Sequence, residues 1–330
     1  MKVCVIGGAG FIGSNFINYM INKYRNMQIV CIDFLTYAGN LENLELVREN
    51  TNFKFYRGNI LNEKFLDDVF SKEQFNLVIN FAAESHVDRS IKDGKIFLET
   101  NIIGTKNIMD MCLKYKVERF HQISTDEVYG DININENRSF EESDNLLPSS
   151  PYSVSKASAD MLAMSYYRTF NLPVTISRCS NNYGPYQFPE KLIPVTIMKA
   201  IKNEKIPLYG TGENVRDWIH VYDHVIAIDK IINEGKIGEI YNICSKNEVK
   251  NIDLVKSILN ILNKDHSLIS FVKDRLGHDL KYSINDNKIR KELGFNCSID
   301  FNKGLKDTVN WYLSNLNWVE TVLKDKYIEV

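Results

Sequence analysis

The sequence predicts an α/β fold, a doubly wound parallel sheet carrying a smaller C-terminal lobe. Short apolar, β-rich runs recur at Val3 to Ile6, Gln28 to Ile32, Phe53 to Arg57, Leu77 to Asn80, Arg119 to Ile123 and Val174 to Cys179. Helical patterns lie between them at Phe11 to Tyr24, Lys64 to Phe70, Phe97 to Tyr115 and Tyr152 to Phe170. Such alternation builds parallel β-α-β units. The first strand also runs directly into a glycine-rich turn, and from about Pro185 onward the strict alternation weakens. The expected division is residues 1–184 for the sheet domain and 185–330 mainly for the lobe. The boundary is not clean, because later segments can rejoin the first sheet.

The 330 residues are 44% apolar and 25% charged, ordinary for a globular protein, and the net charge of −2 leaves no electrostatic footprint for nucleic acid or an acidic membrane surface. No apolar run approaches membrane-spanning length. The six cysteines form no CxxC or Cys/His cluster. They read as small buried hydrophobes in a reducing, cytoplasmic setting, and no metal site is expected.

After the first strand, Gly7, Gly10 and Gly13 fall at the spacing of a dinucleotide-binding turn that opens a helix. The backbone there must turn tightly and approach a pyrophosphate, whose charge then sits at the helix N-terminus. The second strand closes on Asp33, twenty residues after Gly13. A carboxylate at that place accepts ribose hydroxyls and repels a 2′-phosphate, so the expected cofactor is NAD. Following the fourth strand, the small residues Ala82 and Ala83 let a cofactor lie close over the sheet edge. His86, a little further on, reads first as a satisfied loop histidine and second as a diphosphate donor.

The fifth strand ends in Ser124-Thr125-Asp126-Glu127-Val-Tyr-Gly130. Chemistry in an open α/β sheet gathers past the carboxyl ends of strands. Two adjacent carboxylates there repel, so one stays protonated as an acid while its neighbour serves as a base. A solvated acidic turn is the plain alternative. Residues 131–150 are polar and read as a surface loop near the site mouth. Tyr152 and Lys156 then share one helix face. A phenol near its ordinary pKa of about 10 is a poor base at neutral pH. The Lys156 cation and a nicotinamide ring would both lower that value.

Together, Gly7-x-x-Gly10-x-x-Gly13, Ser124-Thr125 and Tyr152-x-x-x-Lys156 resemble the extended short-chain dehydrogenase/reductase superfamily, whose sheet is of Rossmann type. Thr125 to Gly130, Ala82 to Ser90, Ser180 to Pro194, Asn214 to Trp218 and Asp274 to Asp279 narrow this to its nucleotide-sugar 4,6-dehydratases, across essentially the whole chain. The resemblance implies dTDP-glucose as substrate and three steps with one bound NAD. Tyr152, helped by Thr125 and Lys156, takes the C4 hydroxyl proton as hydride leaves C4. Glu127 then removes the C5 proton while Asp126 protonates the departing C6 hydroxyl, and hydride returns to C6.

For NAD the resemblance further implies Phe11, Ile12, Phe34, Leu35, Thr36, Asn59 and Ile60. Beyond the fourth strand it adds Glu84, Ser85, Thr100 and Asn182 to Ala82 and Ala83. The nucleotide sugar would meet His86, Thr125, Asn181, Glu190, Lys191 and Leu192. In the lobe it would meet Pro207, Leu208, Tyr209, Arg216, Asn251, Asp274, Arg275 and His278. Arg216 and Arg275 suit a diphosphate, since guanidinium forks match phosphate oxygens. Tyr209 suits a stacked thymine. Three departures from the family pattern stand out: Asn59 in place of Asp, Leu276 in place of Pro, and the pair Cys244-Ser245 in place of glycines.

Past Pro185, helices are expected at Ile193 to Ile201, Val221 to Ile232, Asp253 to Leu262 and Phe301 to Asn315, with a short strand at Glu239 to Ile243. The resemblance also implies a homodimer built on the helices near Asn101 to Tyr115 and Tyr152 to Phe170; core packing explains their apolar faces equally well. Two rivals remain at this level. One is a nucleotide-sugar 4-epimerase or a dehydratase for another base. The other is a non-catalytic NAD-binding scaffold, which the intact set of Thr125, Asp126, Glu127, Tyr152 and Lys156 disfavours.

Overall fold

The computed structural model describes residues 1–324, so the last six residues of the expected lobe lie outside the described residues. Strands β1 (Lys2–Ile6) and β2 (Gln28–Asp33) flank helix α1 (Phe11–Lys23). Then follow β3 (Phe53–Arg57), α2 (Glu63–Glu73), β4 (Leu77–Asn80) and the short helices α3 (Val87–Lys92) and α4 (Lys95–Leu98). A π-helical turn, Glu99–Gly104, leads into α5 (Thr105–Lys114), β5 (Arg119–Thr125), α6 (Pro151–Phe170) and β6 (Val174–Cys179).

These strands make one all-parallel sheet in the order β3-β2-β1-β4-β5-β6, extended at its edge by a strand from much later in the chain, Ile240–Ile243. The order reverses direction between β1 and β4, and such a switch point opens a crevice at the carboxyl ends of the strands. Alternate side chains go to opposite faces. Cys4, Ile6, Val30 and Ile32 pack with α2, α5 and α6, while Val3, Val5, Ile29 and Cys31 pack with α1 and a later helix. All six cysteines are free thiols, five of them buried.

Beyond β6 come β7 (Asn181–Tyr183), α7 (Leu192–Ile201), β8 (Ile206–Tyr209), β9 (Val215–His220) and α8 (Val221–Glu234). The edge strand just described is β10, followed by β11 (Glu248–Lys250), α9 (Asn251–Ile261) and β12 (Ile269–Val272). Helices α10 (Asn287–Leu293), α11 (Phe301–Ser314) and α12 (Leu316–Lys324) end the described chain. The lobe has two small sheets, β11-β9-β7 and β12-β8, around a core of Tyr183, Ile197, Trp218, Leu254, Leu305 and Tyr312. Helix α8 packs back against α1, so the chain crosses between the two parts repeatedly.

One expectation needs correction. The helix expected over Phe97 to Tyr115 is interrupted by the π-helical turn. Gly104 permits it: a Cβ there would lie 2.4 Å from the Ile60 side chain. The extra residue aims Asn101 inward, where it accepts a hydrogen bond from the Glu84 N–H and donates to the Glu84 carbonyl and the Ser155 hydroxyl. The 131–150 segment is irregular, as expected; none of its residues lines the cavity, and its end bonds Asp279, next to the lining residue His278. Phe140 pairs with Ile284, and Ser149 donates to Asp279, which pins the loop onto the chain leading to α10.

Candidate active site

Beneath the switch point the backbone of β1 turns so sharply that only glycine fits. Gly7 has φ +76°, and a Cβ on it would lie 2.4 Å from the Ala82 nitrogen; one on Gly13 would lie 2.5 Å from the Gly7 carbonyl oxygen. Gly10 begins α1, and no side chain caps that helix end. The first-turn N–H groups therefore face outward over a glycine cradle, which fits a dinucleotide pyrophosphate. Asp33 closes β2 and is buried. One carboxylate oxygen accepts from the Ala9 N–H at 2.9 Å and the other from the Leu35 N–H at 2.8 Å. Burial pushes its pKa up and these N–H groups pull it down, with a net rise. The carboxylate thus braces the glycine turn while keeping lone pairs for ribose.

The cradle opens into a cavity of about 640 Å³. Gly7 and Gly10 to Gly13 wall one end with Ala83, Ser85 and His86, while Thr125, Asp126, Glu127, Tyr152 and Lys156 form its middle. Asn181 and Asn182 follow. The far end is made by Glu190 to Leu192, Pro207 to Tyr209, Arg216, Asn251, Arg275 and His278. Ten expected residues lie outside that wall. Asp33 to Thr36 and Asn59-Ile60 follow the carboxyl ends of β2 and β3, and the Asn59 side chain accepts from the Leu61 N–H. Ala82 lies under Gly7, Glu84 is tied to Asn101, Thr100 is in the π-helical turn, and Asp274 pairs with His278 at 2.6 Å.

Thr125 ends β5 and caps a 3₁₀ turn, Asp126–Tyr129, accepting from the Glu127 N–H at 3.3 Å. Its hydroxyl donates to one Asp126 oxygen at 3.2 Å, and the other oxygen is buried with no hydrogen-bond partner. Burial, then the Glu127 charge, push the Asp126 carboxyl well above the usual range, with Arg216 opposing. Burial also raises Glu127, but Arg275, Arg216 and Lys191 hold it back. The two carboxyls are therefore unequal. A proton shared between them rests on Asp126 and leaves Glu127 able to accept another.

Helix α6 starts at Pro151 behind a Ser150–Ser153 capping box, which fixes where its first turn points. That turn aims Tyr152 into the cavity. Lys156, one turn on, donates to the Ile123 carbonyl at 2.6 Å and so clamps α6 to β5. Burial lowers the Lys156 pKa. Burial, then the Glu127 charge, push the Tyr152 phenol well above its ordinary value. The expected lowering involved both Lys156 and a nicotinamide ring; in the chain itself burial and the neighbouring carboxylates set the direction, which is upward.

Across the cleft, Asp88 on α3 accepts from the Tyr209 hydroxyl at 2.9 Å and faces Arg275 at 3.6 Å. Lys191 donates to the Ser85 carbonyl at 2.8 Å, and Arg89 pairs with Glu190 at 3.3 Å. Arg216 is buried and held by the carbonyls of Val215, Leu280 and Asp279. Buried unpartnered atoms on Ser124, Asn181, Asn251 and Arg275 give this cavity the donors and acceptors a polar ligand needs. The departures from the family pattern sit apart from the chemistry. Ser245 bonds Asp217 and the Trp218 carbonyl, Cys244 is core, and Leu276 is 75% exposed. Sequence reasoning missed Asp88, Asn101 and Tyr282. Asp88 lay in plain view inside the Ala82 to Ser90 motif, whereas the other two read as a helix interior and a loop aromatic.

A glycine cradle at the switch point, a strand-end Ser/Thr and a Tyr–Lys pair on the next helix define an extended short-chain dehydrogenase/reductase. A family model for GDP-mannose 4,6-dehydratase matches residues 4–308, and the chain belongs to that family. Among curated relatives, a dTDP-glucose 4,6-dehydratase of Shigella flexneri is 45% identical over 99% of this chain and 97% of its own. A dTDP-glucose 4,6-dehydratase structure from Bacillus anthracis in complex with NAD is 45% identical, with a TM-score of 0.90, over 98% of this chain and 99% of that one. Another, from Streptomyces venezuelae with NAD and dTDP bound, is 42% identical with a TM-score of 0.94, over 98% and 100%. A UDP-glucose 4-epimerase from Thermotoga maritima shares the fold at 29% identity and a TM-score of 0.89, over 96% and 100%.

Proposed function

We propose that this protein converts dTDP-glucose to dTDP-4-dehydro-6-deoxyglucose and water, the dTDP-glucose 4,6-dehydratase reaction, EC 4.2.1.46. The observation that carries the reading is the unequal Asp126–Glu127 pair facing Tyr152 in one buried cavity. An epimerase needs no acid for a leaving hydroxyl. NAD, held by the glycine cradle and Asp33, supplies the hydride acceptor and donor. Tyr152 takes the C4 hydroxyl proton, with Thr125 and Lys156 fixing its surroundings. The resulting 4-ketone acidifies C5, Glu127 removes that proton, and Asp126 gives its own to the departing C6 hydroxyl. Hydride return to C6, with the proton on Glu127 given back to C5, completes the 6-deoxy product, and the C4 hydroxyl proton taken by Tyr152 balances the one Asp126 gave up as water.

Arg216, Arg275 and Lys191 suit the diphosphate, while Tyr209 and Pro207 suit the base. Thymine over uracil rests on one methyl, worth about 1 kcal/mol in an apolar pocket. Ile96, Leu98, Ile103, Val154 and Met161 expose an apolar face around α4, the π-helical turn and α6. It supports a homodimer. No helix among the described residues is long and apolar enough to cross a membrane, and six free thiols support a reducing cytoplasm.

The test is product analysis with dTDP-glucose and, in parallel, UDP-glucose. Loss of one water from the dTDP-sugar, with no net reduction of the cofactor, is the expected result. Unchanged mass with inverted C4 stereochemistry would establish the epimerase instead.

A further inference from the structure

Arg216 is 5% exposed, yet the contacts that fix it are electrically neutral. Its Nη1 donates to the Val215 carbonyl at 2.7 Å and the Leu280 carbonyl at 3.3 Å, and its Nη2 to the Asp279 carbonyl at 2.8 Å. Three in-plane bonds leave the flat faces of the guanidinium to be held by something else. Tyr282 does this: its ring centre lies 4.1 Å from the guanidinium carbon. The ring is 3% exposed, lines the same cavity, and is itself fixed by its hydroxyl, which donates to Asp279 at 2.5 Å. Ser149 donates to the same carboxylate oxygen. The backbone closes the arrangement, with the Val215 N–H bonded to the Leu280 carbonyl at 2.8 Å and the Tyr282 N–H to the Val215 carbonyl at 3.3 Å.

We propose that Tyr282 is a positioning residue for the sugar-nucleotide diphosphate, its ring face holding the Arg216 cation in the cavity wall before an anion arrives. The proposal rests on the dehydratase reading above, in which Arg216 meets the diphosphate. A buried cation whose direct hydrogen bonds all go to carbonyls has no carboxylate bound to its N–H groups, and a stacked ring restrains it without neutralising it. A carboxylate in the ring's place would satisfy Arg216 and compete with the diphosphate. Arg216 meets Asp279 through its backbone carbonyl, while the Asp279 carboxylate takes the Tyr282 and Ser149 hydroxyls instead.

The experiment measures Kd for dTDP by calorimetry, and KM and kcat with dTDP-glucose, for the parent, Tyr282→Phe and Tyr282→Leu. Tyr282→Phe keeps the ring and stays within about threefold of the parent. Tyr282→Leu fills similar space without a π face, and weakens dTDP and raises KM together by about ten- to thirtyfold, with kcat changed far less. Arg216→Gln weakens dTDP by itself, and adding Tyr282→Leu to it costs little more. If Tyr282→Leu does not fold, Tyr282→Met carries the same expectation. Parent-like dTDP affinity in the Leu or Met variant overturns the proposal, and so does an equal loss in Tyr282→Phe, or a loss confined to kcat. A parent that binds dTDP without dehydrating dTDP-glucose overturns the reaction and leaves the positioning role standing. A parent that binds no dTDP removes both.

Discussion

In the proposed reaction the smallest deciding unit is a pair of neighbouring carboxyls in unequal surroundings. Asp126 is sealed, with one oxygen unpartnered, and Glu127 is held back from the same rise by the charges of Arg275, Arg216 and Lys191. Replacing Asp126 by Asn removes the acid but keeps the shape. Water loss should slow by about 10²- to 10⁴-fold, while oxidation at C4 proceeds and reduced cofactor accumulates in a single-turnover absorbance trace. Elimination at the parent rate would assign the acid elsewhere. The same substitution has a stability consequence with a definite sign. The folded-state pKa of Asp126 is raised, so its contribution to stability is present below the ordinary carboxylate value and is lost as pH rises through the raised one. Asp126→Asn should therefore have a higher Tm than the parent at pH 8, with the gain shrinking toward pH 4. Tyr152→Phe should lower turnover by 10²-fold or more and leave cofactor affinity within a few-fold.

Between residue and fold, single side chains decide how elements meet. Glu73 ends α2 and takes hydrogen bonds from Lys2 on β1 and from Lys54 and Tyr56 on β3. Burial pushes its pKa up, but the bonds from Lys54, Tyr56 and Lys2 outweigh that and hold it at about 2. With a depressed folded-state value, this stabilisation is present above the ordinary carboxylate pKa and fades as pH falls toward 2. Urea midpoints measured from pH 6 to pH 3 should fall less steeply for Glu73→Gln than for the parent; parallel slopes would show that the cluster contributes nothing. These elements were also the part best read in advance. The runs that became β1, β2 and β4 are nearly continuous apolar stretches buried on both faces of a parallel sheet, so composition alone marks them, whereas β3, β5 and β6 mix in polar residues and were marked by their place in the alternation. The π-helical turn left no such mark, because Glu99 to Gly104 is helical in pattern and only the folded backbone shows the wider turn.

On the scale of the whole molecule, legibility fell with sequence separation. β8 pairs with β12 through Ile206↔Ile269 and Val272↔Tyr209, two four-residue strands joined across some sixty residues, and no local periodicity announces such a pair. The cross-cleft contacts Asp88–Tyr209 and Lys191–Ser85 belong to the same class. The site's chemistry was legible because Thr125-Asp126-Glu127 and Tyr152-x-x-x-Lys156 are each local. The upward push on the Tyr152 phenol was not, since it arises from burial that only the assembled fold creates. The exposed face formed by Ile103, Val154 and Met161 gives a whole-molecule prediction. Light scattering should report a dimer for the parent and a monomer for Ile103→Glu/Met161→Glu, whereas a monomeric parent would assign that face to something else.

The central claim is an oxidation, an elimination and a reduction completed on one sugar without its release. The measurement that addresses it most directly uses dTDP-glucose deuterated at C4. The expected product has lost one water, retains the deuterium and carries it at C6. A product that has lost water without deuterium, or one of unchanged mass, would contradict the account.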